Sequence, residues 1–278
     1  MSGTYSSDGA NLAYSDTGDG LPVVFLHPTP LDHDYWRPLH GELAGVRAVV
    51  PDLRGHGLSE LGATLPVGGF SCVPDAPVLT MAQLGSDTLA LLDHLDLPSA
   101  VFAGCSIGGY LLLELWRRAP ERMRGLAFVC SKPQPDAEAN LVKRAATIAQ
   151  ARAGEKAKLF DGMAQTLLGA TARERHPEMA AEVRARMTLT TEALIAVQAG
   201  LAARPDSVPT VATIDAPVLA IAGGEDPAVT PAEMEAFRAA AGECEWHLLP
   251  DAGHFAAYEQ PQKVADLMAA WLKQFAQS

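Results

Sequence analysis

Six short apolar runs constrain this chain more than anything else in it: Val23 to His27, Arg47 to Leu53, Ala100 to Gly104, Leu126 to Cys130, Pro217 to Gly223 and Glu245 to Pro250. Each is bounded by turn-forming residues. Such runs are too short for helices that must bury a face and suit strands covered on both sides. Between most of them apolar residues recur at helical spacing, as in Leu84, Thr88, Leu91, Leu92 and Leu95, or Val264, Leu267, Met268, Trp271 and Leu272. Strands alternating with helices predict a mainly parallel sheet with helices on both faces. Ahead of them, Gly3 to Ser7 and Asn11 to Thr17 flank Asp8-Gly9-Ala10, the pattern of an antiparallel hairpin on one sheet edge.

The alternation stops after Ser131 and resumes at Ala216. Between them the pattern is helical over Leu141 to Ala153, Ala157 to Leu168, Pro177 to Met187 and Thr190 to Ala202, broken at Gly154, Gly169 and Pro205. This predicts a helical cap over 131–213, inserted into a core domain formed by 1–130 and 214–278. The chain's 278 residues are 48% hydrophobic and 19% charged, enough for a large core and too little charge for disorder. Its formal net charge of −12 opposes nucleic acid and anionic lipid as partners. The cap alone carries eleven Lys or Arg against nine Asp or Glu, read as a solvated helix surface. The Gly- and Pro-rich stretch Leu61 to Leu79 is expected to wall the mouth of a site. No secretory signal or membrane span is visible, and Cys72, Cys105, Cys130 and Cys244 are too scattered for a disulfide scaffold. A cytoplasmic protein is expected, as monomer or homodimer.

The chemistry centres on Gly104-Cys105-Ser106-Ile107-Gly108-Gly109, directly after one strand and before a helical run. In so sharp a turn, glycines relieve crowding and leave the serine exposed at the apex, while the helix N-terminus favours a developing anion. A dinucleotide-binding reading is weaker, because Ser106 stands where the second glycine belongs. A serine needs a base and a residue to orient it. Downstream, Gly223-Gly224-Glu225-Asp226-Pro227 follows one strand and offers Glu225 or Asp226; Asp251-Ala252-Gly253-His254 follows the next and offers His254. The oxyanion needs two backbone donors. Ile107 supplies one; in His27-Pro28-Thr29-Pro30 the prolines lack an N–H, so Thr29 supplies the other. His27, His33, Asp32 and Asp34 match no familiar ligand spacing, and no metal or cofactor is expected.

These blocks, with Pro51-Asp52-Leu53-Arg54-Gly55-His56-Gly57-Leu58-Ser59 and Gly253 to Pro261, resemble the α/β-hydrolase fold serine hydrolases over nearly the full length. The oxyanion loop is closest to the esterase and perhydrolase group, although Pro28 and Thr29 replace that group's glycine and aromatic residue. The resemblance implies an eight-stranded, mostly parallel α/β sheet and a triad in the order Ser106, Asp226, His254, with Asp226 at the family position. It implies hydrolysis of carboxylic esters, with lactones, C–C bonds and perhydrolysis as alternatives on the same triad. A ligand-binding member without catalysis is the reading from another class. A serine at 106 argues against dehalogenase and epoxide hydrolase chemistry, which uses an aspartate there. The expected pocket walls are Thr29, Pro30, Ile107, Val229 and Phe255 with Phe160, Met163 and Leu167 of the cap, favouring small to medium uncharged acyl groups.

Overall fold

The computed structural model describes residues 2–64 and 75–275. Eight strands form one sheet: β1 (Ser2–Ser7), β2 (Ala10–Thr17), β3 (Leu21–Leu26), β4 (Val46–Pro51), β5 (Ala100–Cys105), β6 (Met123–Val129), β7 (Val218–Gly223) and β8 (Cys244–Leu249). Their order across the sheet is β1-β2-β4-β3-β5-β6-β7-β8. β1 and β2 pair as the expected edge hairpin and β2 runs antiparallel to β4, whereas the remaining pairs are parallel. Strands β5 and β7 are buried at every residue, which is why they read as unbroken apolar runs. The six runs predict strand positions to within three residues. The largest error is at β6, which begins at Met123 rather than Leu126; Arg124 and Gly125 disguise its start. Gly125 is there because the Phe275 and Trp271 rings pack where its side chain would be.

Among the described residues, helices of six residues or more are α1 (Met81–His94), α2 (Ile107–Arg118), α3 (Glu138–Arg152), α4 (Lys156–Thr166), α5 (Ala170–Arg175), α6 (Met179–Ala185), α7 (Thr191–Ala202), α8 (Pro231–Ala240) and α9 (Pro261–Leu272). Their starts are capped by sequence: the Thr80, Thr190 and Thr230 side chains accept from Gln83 N, Ala193 N and Glu233 N. Five of these helices, α3 to α7, lie between β6 and β7. Helix α7 is apolar nearly all round and buried from Ala193 to Leu201, so it forms the centre of this segment, with α3 packed against it. Helix α5 is absent from the sequence reading, and the helix expected from Pro177 begins at Met179.

Two buried polar networks pin the sheet's loops. Arg54, fully buried, forms a two-pronged ion pair with Asp87 and also donates to the Ser7 carbonyl. Asp52 accepts from His33 N, His33 Nδ1 and Leu58 N, tying the turn after β4 to the loop after β3. The block from Pro51 to Ser59 is thus a scaffold for its neighbour loop. Of the stretch Leu61 to Leu79, residues 65–74 lie outside the described residues; Leu79 N donates to Ala196 O of α7.

Candidate active site

Parallel strands deliver their following loops to one end of the sheet, so the loops after β3, β5, β7 and β8 converge there. Ser106 stands between β5 and α2 with φ 53° and ψ −116°, a conformation that costs an L-residue about 1–3 kcal/mol. The neighbouring glycines make it possible: a Cβ on Gly108 would run into the Leu26 carbonyl, and one on Gly104 into the backbone of Gly108. Ser106 N donates to Val129 O, and its carbonyl accepts from Tyr110 N and the Ser131 hydroxyl. Its own hydroxyl is committed to no hydrogen bond among the described residues.

His254 Nδ1 lies 2.8 Å from Asp226 Oδ2, both side chains nearly completely buried. The other Asp226 oxygen accepts from Ala228 N and Val229 N at 2.8 and 3.0 Å, which fixes the carboxylate plane. Glu225, the competing carboxylate, turns away: it accepts from Thr171 N and the Thr171 hydroxyl in α5, and these bonds hold it below the usual carboxylate range. The His254 loop is held from the helical segment as well, since His254 N donates to Leu167 O. Glu259, unforeseen in the sequence, accepts from Gly253 N and Phe255 N on either side of His254 and from Gly169 N at the start of α5.

The Ile107 and Thr29 N–H groups are both left without a described acceptor, Ile107 because it opens a helix. The Thr29 hydroxyl is 2.9 Å from His56 Nε2. Since His56 Nδ1 faces the Arg54 carbonyl, Nε2 is the acceptor and His56 is neutral. Its ring lies 5.1 Å from that of His27, whose Nε2 accepts from Leu53 N. Burial pushes His56 down to about 4 and His27 to about 3. Unfolded, both take up a proton near 6.5; folded, they resist until well below that. The unfolded chain then binds more protons, so stability falls as the pH drops from about 6.5 towards 4. The His56 shift alone corresponds to about 3 kcal/mol. His33, held above its ordinary value by Asp52, works in the opposite direction and offsets part of this. Urea unfolding at pH 7, 5.5 and 4.5 checks the balance, and a stability independent of pH across this window contradicts it.

Ser106, His254, Thr29 and Pro30 line one cavity of about 350 Å³, joined by Met163 and Leu167. Phe160, Val229 and Phe255 do not line it. They are 1%, 1% and 0% exposed and belong to the core beneath, because their apolar side chains gain more from packing than from facing an open pocket. Ile107, 1% exposed, likewise contributes backbone rather than wall. Beside the apolar Met163, Leu167, Leu201, Pro227 and Ala228 stand polar residues that were not expected: Lys132, Asp136, Asn140, Lys143, Arg144, Thr147 and Gln198. The residues Asn140, Lys143, Arg144 and Thr147 follow helical spacing and form one face of α3. Helix α3 packs against α7, and Arg144 on this face donates to Gln198 of α7, so the face borders the cavity beside α7. No cluster of three His, Cys, Asp or Glu able to hold a metal occurs among the described residues, and no helix there is long and apolar enough to cross a membrane.

Comparison with known proteins agrees with this fold. Over 98% of this chain and 96% of the other, the fold superimposes on a thermophilic esterase from Thermogutta terrifontis with a TM-score of 0.87 and 30% identity. An enol-lactonase from Burkholderia xenovorans matches with a TM-score of 0.86 and 25% identity, over 98% of this chain and all of that one. A non-heme chloroperoxidase of Streptomyces lividans is 37% identical over 133 residues, which is 46% of this chain and 44% of that one. The model of the alpha/beta hydrolase family matches residues 23–267, and the chain belongs to that family.

Proposed function

We propose that this chain hydrolyses carboxylic esters through an acyl-enzyme on Ser106, with residues 131–213 acting as a cap over a core of 1–130 and 214–278. The observation that carries the reading is the Asp226–His254 pair at 2.8 Å, next to a strained serine that shares a cavity with the histidine. Because Nδ1–H is committed to Asp226, the Nε2 lone pair of His254 is the one that takes the Ser106 proton as the hydroxyl attacks the carbonyl. Asp226 balances the imidazolium, and the Ile107 and Thr29 N–H groups receive the oxyanion. His254 then protonates the leaving alcohol and activates the water that frees the acid.

A lactone is a cyclic ester and follows the same steps with its alcohol still tethered, and the enol-lactonase likeness favours testing lactones beside open esters. With hydrogen peroxide in place of water, the same acyl-enzyme yields a peracid, the reaction to test against the chloroperoxidase likeness.

A fluorophosphonate probe tests the nucleophile directly. The expected result is a single covalent adduct on the peptide carrying Ser106, lost when the protein is denatured first. Native protein that stays unlabelled, or that is labelled at another residue, contradicts the reading. A panel of p-nitrophenyl esters, lactones and dienone acids, with peracid formation from acetate and peroxide, then separates the reactions open to this triad.

A further inference from the structure

The cavity carries more positive charge than its own walls neutralise. Asp136, buried, is shared by two guanidiniums, those of Arg144 and Arg204, so this group of three ions has a surplus of one positive charge. Burial opposes the Asp136 charge, but the two arginines outweigh it and hold its carboxyl below the ordinary range, so the carboxylate is already committed. Lys143, one residue before Arg144 on the same face of α3, forms no ion pair with a described residue and lines the same cavity. Lys132 is paired with Glu233 and adds no surplus. Gln198 gives its amide oxygen to Arg144, so what it has left for a ligand is its N–H donors.

Holding α3 in place explains Asp136 and Arg204, which also donates to the Gln134 and Leu201 carbonyls. It does not explain Lys143, nor a second guanidinium on one carboxylate. The cluster is close to the nucleophile. Arg204 stacks 4.3 Å from the ring of Tyr110, which lines the cavity and lies one helical turn beyond Ser106, about 6 Å along α2. In a protein of net charge −12, cations gathered at this one cavity are set against the general field of the molecule.

We propose that the substrate is an ester or lactone bearing a carboxylate a few carbons from the scissile carbonyl, held by Lys143 and Arg144 from the cap side of the cavity. This rests on the serine-hydrolase reading of the same site. A carboxylate supplies the missing negative charge, and the guanidinium and ammonium offer it charge-assisted hydrogen bonds. A carboxylate-bearing substrate departs from the uncharged acyl groups expected from the sequence.

The test compares mono-p-nitrophenyl glutarate with p-nitrophenyl pentanoate, which match in chain length and differ in the terminal carboxylate. The full-length protein is expected to prefer the half-ester by about tenfold or more in kcat/KM at low salt, shrinking as sodium chloride screens the charges. Lys143→Gln lowers the preference and Lys143→Glu abolishes it. Lys143 is exposed and unpaired, so both variants fold. A second arm is independent of turnover: calorimetric titration of Ser106→Ala with monomethyl glutarate and with methyl pentanoate, where only the half-ester is expected to bind and Lys143→Glu to weaken it about tenfold or more. Equal or better use of the pentanoate ester overturns the carboxylate site and leaves the serine mechanism standing. Turnover that survives Ser106→Ala overturns the serine mechanism instead, and this inference with it. If neither ester turns over, the calorimetry decides, and half-ester binding no tighter than that of the neutral ester overturns the proposal.

Discussion

Replacing Ser106 by alanine is expected to lower ester turnover by roughly 10⁴- to 10⁶-fold while leaving the fold intact, because no other group in the cavity is placed to form the acyl-enzyme. The Ser106 hydroxyl is committed to no described partner, so its removal orphans no buried donor or acceptor. Alanine bears the same cost as serine at φ 53°, which makes the change in stability small, within about 1 kcal/mol. Ser106→Gly goes further: relieved of the left-handed strain, it is expected to be as stable as the parent or more so, and equally inactive. Initial rates on a p-nitrophenyl ester together with thermal melts check both halves. A variant that keeps more than about a hundredth of the parent rate removes Ser106 from the mechanism.

The inner strands β3 to β7 were legible because they are buried on both faces, so burial wrote itself into the sequence as apolar runs. Where another requirement intruded, the signal failed. Gly169 reads as a helix breaker but stands at the N-terminus of α5, where Glu225, Gly253 and Glu259 leave no room for a side chain. At the site, chain order and turn chemistry pointed to Ser106, Asp226, His254, Ile107 and Thr29, since each follows a strand end, and the structure pairs His254 with Asp226 and brings Ser106, His254 and Thr29 to one cavity. Of the expected cavity walls, Thr29, Pro30, Met163 and Leu167 line the cavity, whereas Phe160, Val229, Phe255 and Ile107 are buried in packing; the residues missed are those on one face of α3, Asn140, Lys143, Arg144 and Thr147. The regular spacing of those four residues was the available signal. It was lost among eleven basic residues read as a solvated surface.

Glu259 was hidden differently, as one acidic residue closing the apolar run Phe255 to Tyr258, and its removal has the largest expected effect outside the triad. Its carboxylate accepts from Gly253 N at 2.8 Å, Phe255 N at 3.0 Å and Gly169 N at 3.0 Å. The first two flank His254, and the third opens α5. Burial pushes the Glu259 carboxyl up, and the three N–H groups and His254 recover only part of that shift. Alanine leaves three buried donors unpaired, each costing about 1–3 kcal/mol, so Glu259→Ala is expected to lose at least about 3 kcal/mol and melt about 6–12 °C lower. Released on both sides, His254 drifts from the Ser106 hydroxyl, and a misplacement of about 1 Å costs on the order of a hundredfold in kcat. Substrate contacts are untouched, so KM changes less. Glutamine separates geometry from charge. With its one oxygen towards Gly253 and Gly169, which share Oε2 in the parent, its N–H₂ meets the Phe255 N–H, so one bond is lost and two donors oppose each other. Stability and kcat are therefore expected to rank parent, Glu259→Gln, Glu259→Ala. Three equal melting points with three equal kcat values reduce Glu259 to a bystander; a fall in melting point with kcat preserved confines it to holding α5.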